Sequence, residues 1–248
     1  MVPTKTRGTE VRQGGPDGQN PTGNNRKRWR RDDQFEPEPR EPGRPRVFKA
    51  SNNRVYLAFF KPFDILCQFS PGEEGQRTLA EFEFPPNVYP VGRLDTDSEG
   101  LLILSDDTRM NKALLAPENR HERTYYAQVD NIPTQTALDQ LRRGVMIQGR
   151  ETLPCRVHAF AEEPTLPPRT VPIRFRKNIP TSWIALTLTE GKNRQVRRMT
   201  AAVGHPTLRL VRWSIGKLTL GELELEPGEW YALSSEQVES LFKNESEQ

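Results

Sequence analysis

The chain has 248 residues, 34% of them hydrophobic, with 36 Lys and Arg against 33 Asp and Glu and a net charge of +3. That length suits one or two domains with a sizeable core. No apolar run approaches the ~18 residues of a membrane-spanning helix, and no apolar segment typical of a secretion signal opens the chain, so the expected location is the cytosol. Cys67 and Cys155 match no zinc or redox spacing, and His121, His158 and His205 stand singly. Neither a metal site nor a cofactor is expected from such a set.

The small net charge hides a partition. Residues 1–50 hold twelve Lys and Arg against seven Asp and Glu, residues 51–220 hold 23 against 18, and residues 221–248 hold one lysine against eight glutamates. A basic arm and a basic centre are offset by an acidic end, a pattern that suits an anionic partner such as nucleic acid. Residues 1–50 are rich in Gly, Pro, Asn, Gln and Arg and nearly lack aliphatic residues. They cannot bury enough apolar surface to offset the entropy of ordering and are expected to be a disordered basic arm. Within it, Arg26-Lys27-Arg28-Trp29-Arg30-Arg31 can hold phosphates and stack a base, or serve only as a solubilising tail.

Order is expected from about Arg54, with a catalytic domain over 51–235 and an acidic C-terminal tail over 236–248. Val55–Phe60 has strand composition and is ended by Lys61-Pro62. Val88–Val91 reads as a short strand leading into Gly92-Arg93-Leu94-Asp95-Thr96-Asp97-Ser98-Glu99-Gly100, a polar loop followed by the buried strand Leu101–Leu104. By itself Asp-x-Asp in such a loop is a solvated turn, and it supplies too few oxygens for a calcium site. Asp106 or Asp107 is placed to cap a short helix ending near Leu115. Tyr125–Val129 alternates as a strand. Thr134 caps a helix that Gly144 stops, and strands follow at Val145–Ile147 and Leu153–Ala159. The proline-rich stretch 162–182 reads as a long irregular loop. Trp183–Leu188, Leu208–Ile215 and Glu229–Leu233 read as strands. A helix is expected over Asn193–Val203, with Arg194, Arg197 and Arg198 on one face and Val196, Met199 and Val203 on the other. A last short helix runs from Ser234 or Ser235 to Phe242. Strands and helices without regular alternation argue for an α+β fold on a largely antiparallel sheet.

Several of these segments carry a family resemblance. Gly92-Arg93-Leu94-Asp95, followed by Ser98, Gly100, Leu101 and Leu102, resembles the catalytic motif of RNA pseudouridine synthases. Within them it resembles the branch that holds the ribosomal small-subunit enzyme A and the large-subunit enzymes B, E and F. The likeness is greatest to the short type E members, which lack an added RNA-binding module. Glu190 to Met199 resembles a second motif of that family. Arg123-Thr124-Tyr125 resembles its Lys-x-Tyr motif with arginine in place of lysine. Lys61-Pro62-Phe63-Asp64 resembles its Lys-Pro-x-Gly segment, with Asp64 where many members have glycine, which puts the local turn in question. The likeness runs from about Tyr56 to about Leu233.

The resemblance implies a pseudouridine synthase fold with a catalytic cleft, and an enzyme that isomerises a specific uridine of 23S rRNA, free or in a large-subunit precursor particle. It implies Asp95 as the nucleophile, Tyr125 against the target uracil as candidate base at C5, and one arginine of the second motif paired with Asp95. Arg197 takes that place by position, with Arg194 in reserve. A cation within ~4–6 Å favours the ionised carboxylate that a nucleophile needs. Arg93 is placed to fill the space left by the flipped base, Lys61, Arg123, Arg194 and Arg198 are expected to contact RNA, and Asp97 is expected to be a turn residue. A monomer is the default. Two rival readings remain: a non-enzymatic rRNA-binding or ribosome-assembly protein, which has no need of Asp95, and a glycosidase using Asp95 and Asp97, which needs two carboxylates at a defined separation across the bond.

Overall fold

The computed structural model describes residues 54–169, 171–173 and 179–242, so the basic arm expected over 1–50 lies outside the described residues. In chain order the elements are β1 (Tyr56–Lys61), β2 (Ile65–Leu66), β3 (Arg77–Thr78), β4 (Tyr89–Pro90), β5 (Glu99–Ser105), α1 (Arg109–Leu115), β6 (Arg123–Asp130), α2 (Gln135–Arg143), β7 (Met146–Ile147), β8 (Arg150–Glu151), β9 (Arg156–Ala159), β10 (Thr181–Leu188), α3 (Gln195–Ala202), β11 (Thr207–Ile215), β12 (Leu218–Thr219), α4 (Leu220–Leu223), β13 (Trp230–Ala232) and α5 (Ser235–Leu241). A nine-stranded sheet carries the molecule in the order β13-β1-β5-β11-β6-β10-β9, with β12 on β11 and β4 on β5. Its pairings are antiparallel except β5 with β11. The expected α+β fold on a mostly antiparallel sheet is what forms.

β1 and β5 are buried at every position, which is why neither shows polar–apolar alternation. Alternate residues serve opposite faces. Tyr56, Ala58 and Phe60 join Leu101, Ile103, Val211 and Ile215 on one side, while Leu57 and Phe59 join Leu102, Leu104, Ile65 and Trp230 on the other. A third cluster joins β6 and β10 to Leu138 and Leu141 of α2 and to Val196 and Met199 of α3. Where β5 meets β11, Gly100 has φ +110°, and a Cβ there would lie 2.4 Å from the Arg212 carbonyl oxygen. The motif therefore needs glycine at 100 because two strands converge without room for a side chain.

Several boundaries shift from their sequence expectation. α1 begins after Thr108, which makes no side-chain cap bond; Asp107 caps the helix as expected, accepting from the Arg109 backbone N–H at 3.1 Å and also from its guanidinium. Leu220–Leu223 forms a helical turn behind a Thr219–Glu222 capping box that the sequence reading did not single out. The folded domain also extends past residue 235. Ser234 caps α5, Leu241 is fully buried in the first core cluster and Val238 packs against it, so α5 packs on the domain through one face. Part of the proline-rich loop docks on the domain: the Pro167 carbonyl accepts from Arg209 at 2.8 Å, and the Arg169 guanidinium lies 4.0 Å from the Phe63 ring centre.

Candidate active site

The motif loop is held by Lys61. This lysine is fully buried, and its Nζ donates to the carbonyls of Pro62 at 2.9 Å and Ser98 at 2.8 Å, with Thr96 at 3.4 Å. Burial pushes its pKa down to about 8. Lys61 therefore pins the loop from beneath and does not face RNA, contrary to the sequence expectation; its place in a strand buried on both faces leaves it no path to solvent. The turn after it keeps the left-handed form that glycine favours. Asp64 has φ +63°, and its N–H donates to the Thr96 carbonyl at 2.9 Å. Aspartate tolerates that conformation better than most residues, so the departure from the glycine pattern leaves the turn intact.

Above the loop lies a cleft of about 700 Å³. Arg93, Asp95, Asp97, Arg123, Tyr125, Arg194 and Arg212 line it, with Leu66, Leu188, Val196 and Leu210 supplying apolar wall. Tyr125 comes from β6, between two of the core clusters. Tyr126 points to the opposite face, stacked on Trp213 with ring centres 4.7 Å apart. Arg93 is exposed at the cleft. Arg123 is different: it is 8% exposed and donates to the backbone carbonyls of His121 and Leu114, so it lines the interior of the cleft rather than an outer RNA surface.

The arginines of the second motif diverge. Arg194 precedes α3 in a left-handed conformation, φ +52°, which turns its side chain back across the cleft. Its guanidinium grips the Asp97 carboxylate at 2.9 and 2.8 Å and stands 3.7 Å from Asp95 Oδ2. Arg197 donates to the backbone oxygens of Asp97 at 2.7 Å and Thr207 at 3.2 Å, and its Nε lies 3.4 Å from Asp97 Oδ2. The ion pair to Asp95 thus comes from the reserve choice, Arg194, and Arg197 braces the loop. The reason is the left-handed residue ahead of the helix, which removes Arg194 from the face that helical spacing assigned it. Arg198 turns away to Gln148 at 2.6 Å and Asn193 at 2.8 Å and does not line the cleft. Asp97 is more than a turn residue. Burial would raise its pKa, but the bonds from Arg194 and the charge of Arg197 outweigh this and hold it below the ordinary carboxylate value.

Two features escaped sequence reasoning. Glu99 and Arg209 form a buried pair at 2.9 Å where β5 meets β11, and Arg212, 4% exposed, lines the cleft. The available signal was two arginines inside the otherwise strand-like run Leu208–Ile215. His121, His205 and Cys155 lie outside the cleft, while Cys67 lines its wall. His121 bonds the Leu241 carbonyl and His205 the Asp130 carbonyl. Burial pushes the Cys67 thiol up and the Cys155 thiol to about 11.

A family model for RNA pseudouridylate synthases matches residues 55–202, which span β1, the motif loop, Tyr125 and all of the arginine helix α3. The chain belongs to the RNA pseudouridine synthase family. This synthase is 48% identical over 178 residues to ribosomal large subunit pseudouridine synthase E of Vibrio parahaemolyticus, covering 72% of this chain and 73% of that one. It is 48% identical over 171 residues to the protein of the same name from Xanthomonas campestris pv. campestris, covering 68% and 90%. Among solved structures, a crystal structure of a pseudouridylate synthase superimposes with a TM-score of 0.62 at 26% identity, covering 76% of this chain and 74% of that one. The synthase is therefore an enzyme, an isomerase acting on uridine in RNA. Among the described residues, no helix is long and apolar enough to cross a membrane.

Proposed function

We propose that this synthase converts a specific uridine of 23S rRNA to pseudouridine, acting in the cytoplasm as a monomer on free rRNA or on a large-subunit precursor particle. Relatives of 48% identity are named as large-subunit synthases, and the basic balance of residues 1–220 suits an RNA partner. The observation that carries the mechanism is the meeting of Asp95, Arg194 and Tyr125 in one cleft, from three separate parts of the chain.

In this reading the target nucleotide leaves its stack, at a cost of roughly a few kcal/mol, and its base enters the cleft while Arg93 occupies the vacated place. Asp95 attacks C1′ or assists loss of uracil from the sugar, splitting a difficult displacement into easier steps. Arg194, 3.7 Å from Oδ2, orients the Asp95 carboxylate. Uracil turns, C5 bonds to C1′, and Tyr125 stands as candidate base for the C5 proton. Asp97 serves by positioning Arg194.

The test is Asp95→Asn. The variant is expected to bind rRNA as before and to form no pseudouridine, read by mapping pseudouridines in rRNA from cells carrying only that variant. A full complement of sites in those cells would overturn the role of Asp95 as nucleophile.

A further inference from the structure

Three arginines among the described residues are almost wholly buried: Arg123, Arg209 and Arg212, at 8%, 7% and 4% exposure. Arg209 is matched by the Glu99 carboxylate. The other two are not matched. Their hydrogen bonds among the described residues go to backbone carbonyls, from Arg123 to His121 and Leu114 and from Arg212 Nε to Leu101 at 2.7 Å. Arg212 Nη2 is buried and has no partner among the described residues. Both side chains line the cleft, and strand pairing sets Arg212 opposite Tyr125 on β6. Burial pushes Arg123 below its ordinary pKa; the neighbouring Tyr125 opposes this, and the Arg212 charge adds to it.

Two guanidiniums held beside apolar walls without a carboxylate are costly unless a ligand brings the missing negative charge. Uridine itself is neutral. When the C1′–N1 bond breaks, its electron pair leaves with uracil, and the base is an anion with charge on N1 and O2. The charge persists until C5 bonds to C1′; the C5 proton then departs and N1 regains one, so the reaction balances as an isomerisation. A backbone phosphate is the other available anion, and Arg93 and Arg194, exposed at the cleft, are better placed to meet it than Arg212 at 4% exposure.

We infer that Arg212, supported by Arg123, is the group that stabilises the detached uracil anion while it turns. A preorganised cation in a water-poor site acts most strongly where charge develops. The inference rests on the reaction proposed above and holds whether Asp95 attacks the sugar or assists elimination, because both release the same anion.

The test compares the wild type, Arg212→Met and Arg212→Lys on 23S rRNA transcripts made with uridine or with 5-fluorouridine, following loss of the target nucleoside in a single turnover. Fluorine stabilises the departing anion by itself. Arg212→Met is expected to slow loss of uridine roughly 10²-fold with little change in KM, and to slow loss of 5-fluorouridine about tenfold less than that. Arg212→Lys should recover part of the rate, and it carries the same comparison if Arg212→Met does not fold. Equal deficits on both transcripts would make Arg212 structural, and a defect confined to KM with altered salt dependence would make it a phosphate contact; either overturns the inference. A wild type that changes no uridine overturns the proposed reaction as well, whereas an active wild type with equal deficits overturns the role of Arg212 alone.

Discussion

Asp95 and Asp97 are two residues apart and share one arginine unequally. Arg194 makes two short bonds to Asp97 and a single 3.7 Å contact with Asp95. That asymmetry leaves one Asp95 oxygen less encumbered, as a nucleophile requires, while the cation stays beside it. Arg197 reaches the same loop through the Asp97 backbone oxygen. The two arginines should therefore separate by assay. Arg194→Gln is expected to lower single-turnover pseudouridine formation by roughly 10²-fold with stability nearly unchanged, the scale of losing one charged contact at a reacting group. Arg197→Gln is expected to cost about 1–3 kcal/mol in urea unfolding, because it strips partners from two carbonyls, with a smaller effect on rate. The reverse ordering would restore Arg197 as the partner of Asp95.

At the scale of elements, the active loop depends on β1 through a buried lysine. Lys61→Met would remove the donor shared by the Pro62, Thr96 and Ser98 carbonyls and is expected to destabilise the fold by about 1–3 kcal/mol near pH 7 and to lower activity by loosening the loop. The pH dependence has a definite sign. Burial lowers the Lys61 pKa from its ordinary 10.5 to about 8. Below 8 the folded protein bears the full burial penalty of the ammonium. Between 8 and 10.5 the folded state has released the proton while the unfolded chain still holds it, so wild-type stability gains as pH rises. The deficit of Lys61→Met relative to wild type should widen from about pH 7 to about pH 10, as measured by urea midpoints, and a constant deficit would mean that Lys61 does not titrate there. The helix bearing the second motif shows the opposite dependence on local sequence. Val196 and Met199 pack inward as helical spacing requires, but the residue ahead of the helix, not the helix itself, delivers the cation to Asp95.

For the whole molecule, charge is distributed by region: residues 1–50 and 51–220 are basic and residues 221–248 acidic. Removal of residues 1–50 is expected to weaken rRNA binding and to flatten its dependence on salt, because fewer phosphates are neutralised, while leaving single-turnover chemistry intact. Binding curves at two salt concentrations check this, and identical curves would mark the arm as inert. The sequence by itself determined the longer strands, the motif loop with Asp95, the strand bearing Tyr125, and the helix with an apolar face, because these depend on composition and on spacing along a few adjacent residues. Only the tertiary structure decided which arginine meets Asp95, that Lys61 is interior, that Leu241 belongs to the core, and that Arg212 faces the same cleft as Tyr125. Each of those depends on which distant strand lies alongside, or on one backbone angle such as that of Arg194, and neither leaves a period or a motif to read. Lys61 beside a proline and Arg212 within an apolar strand look in sequence like ordinary surface charges; the sheet order, with β5 laid parallel to β11 between β1 and β6, turned both inward.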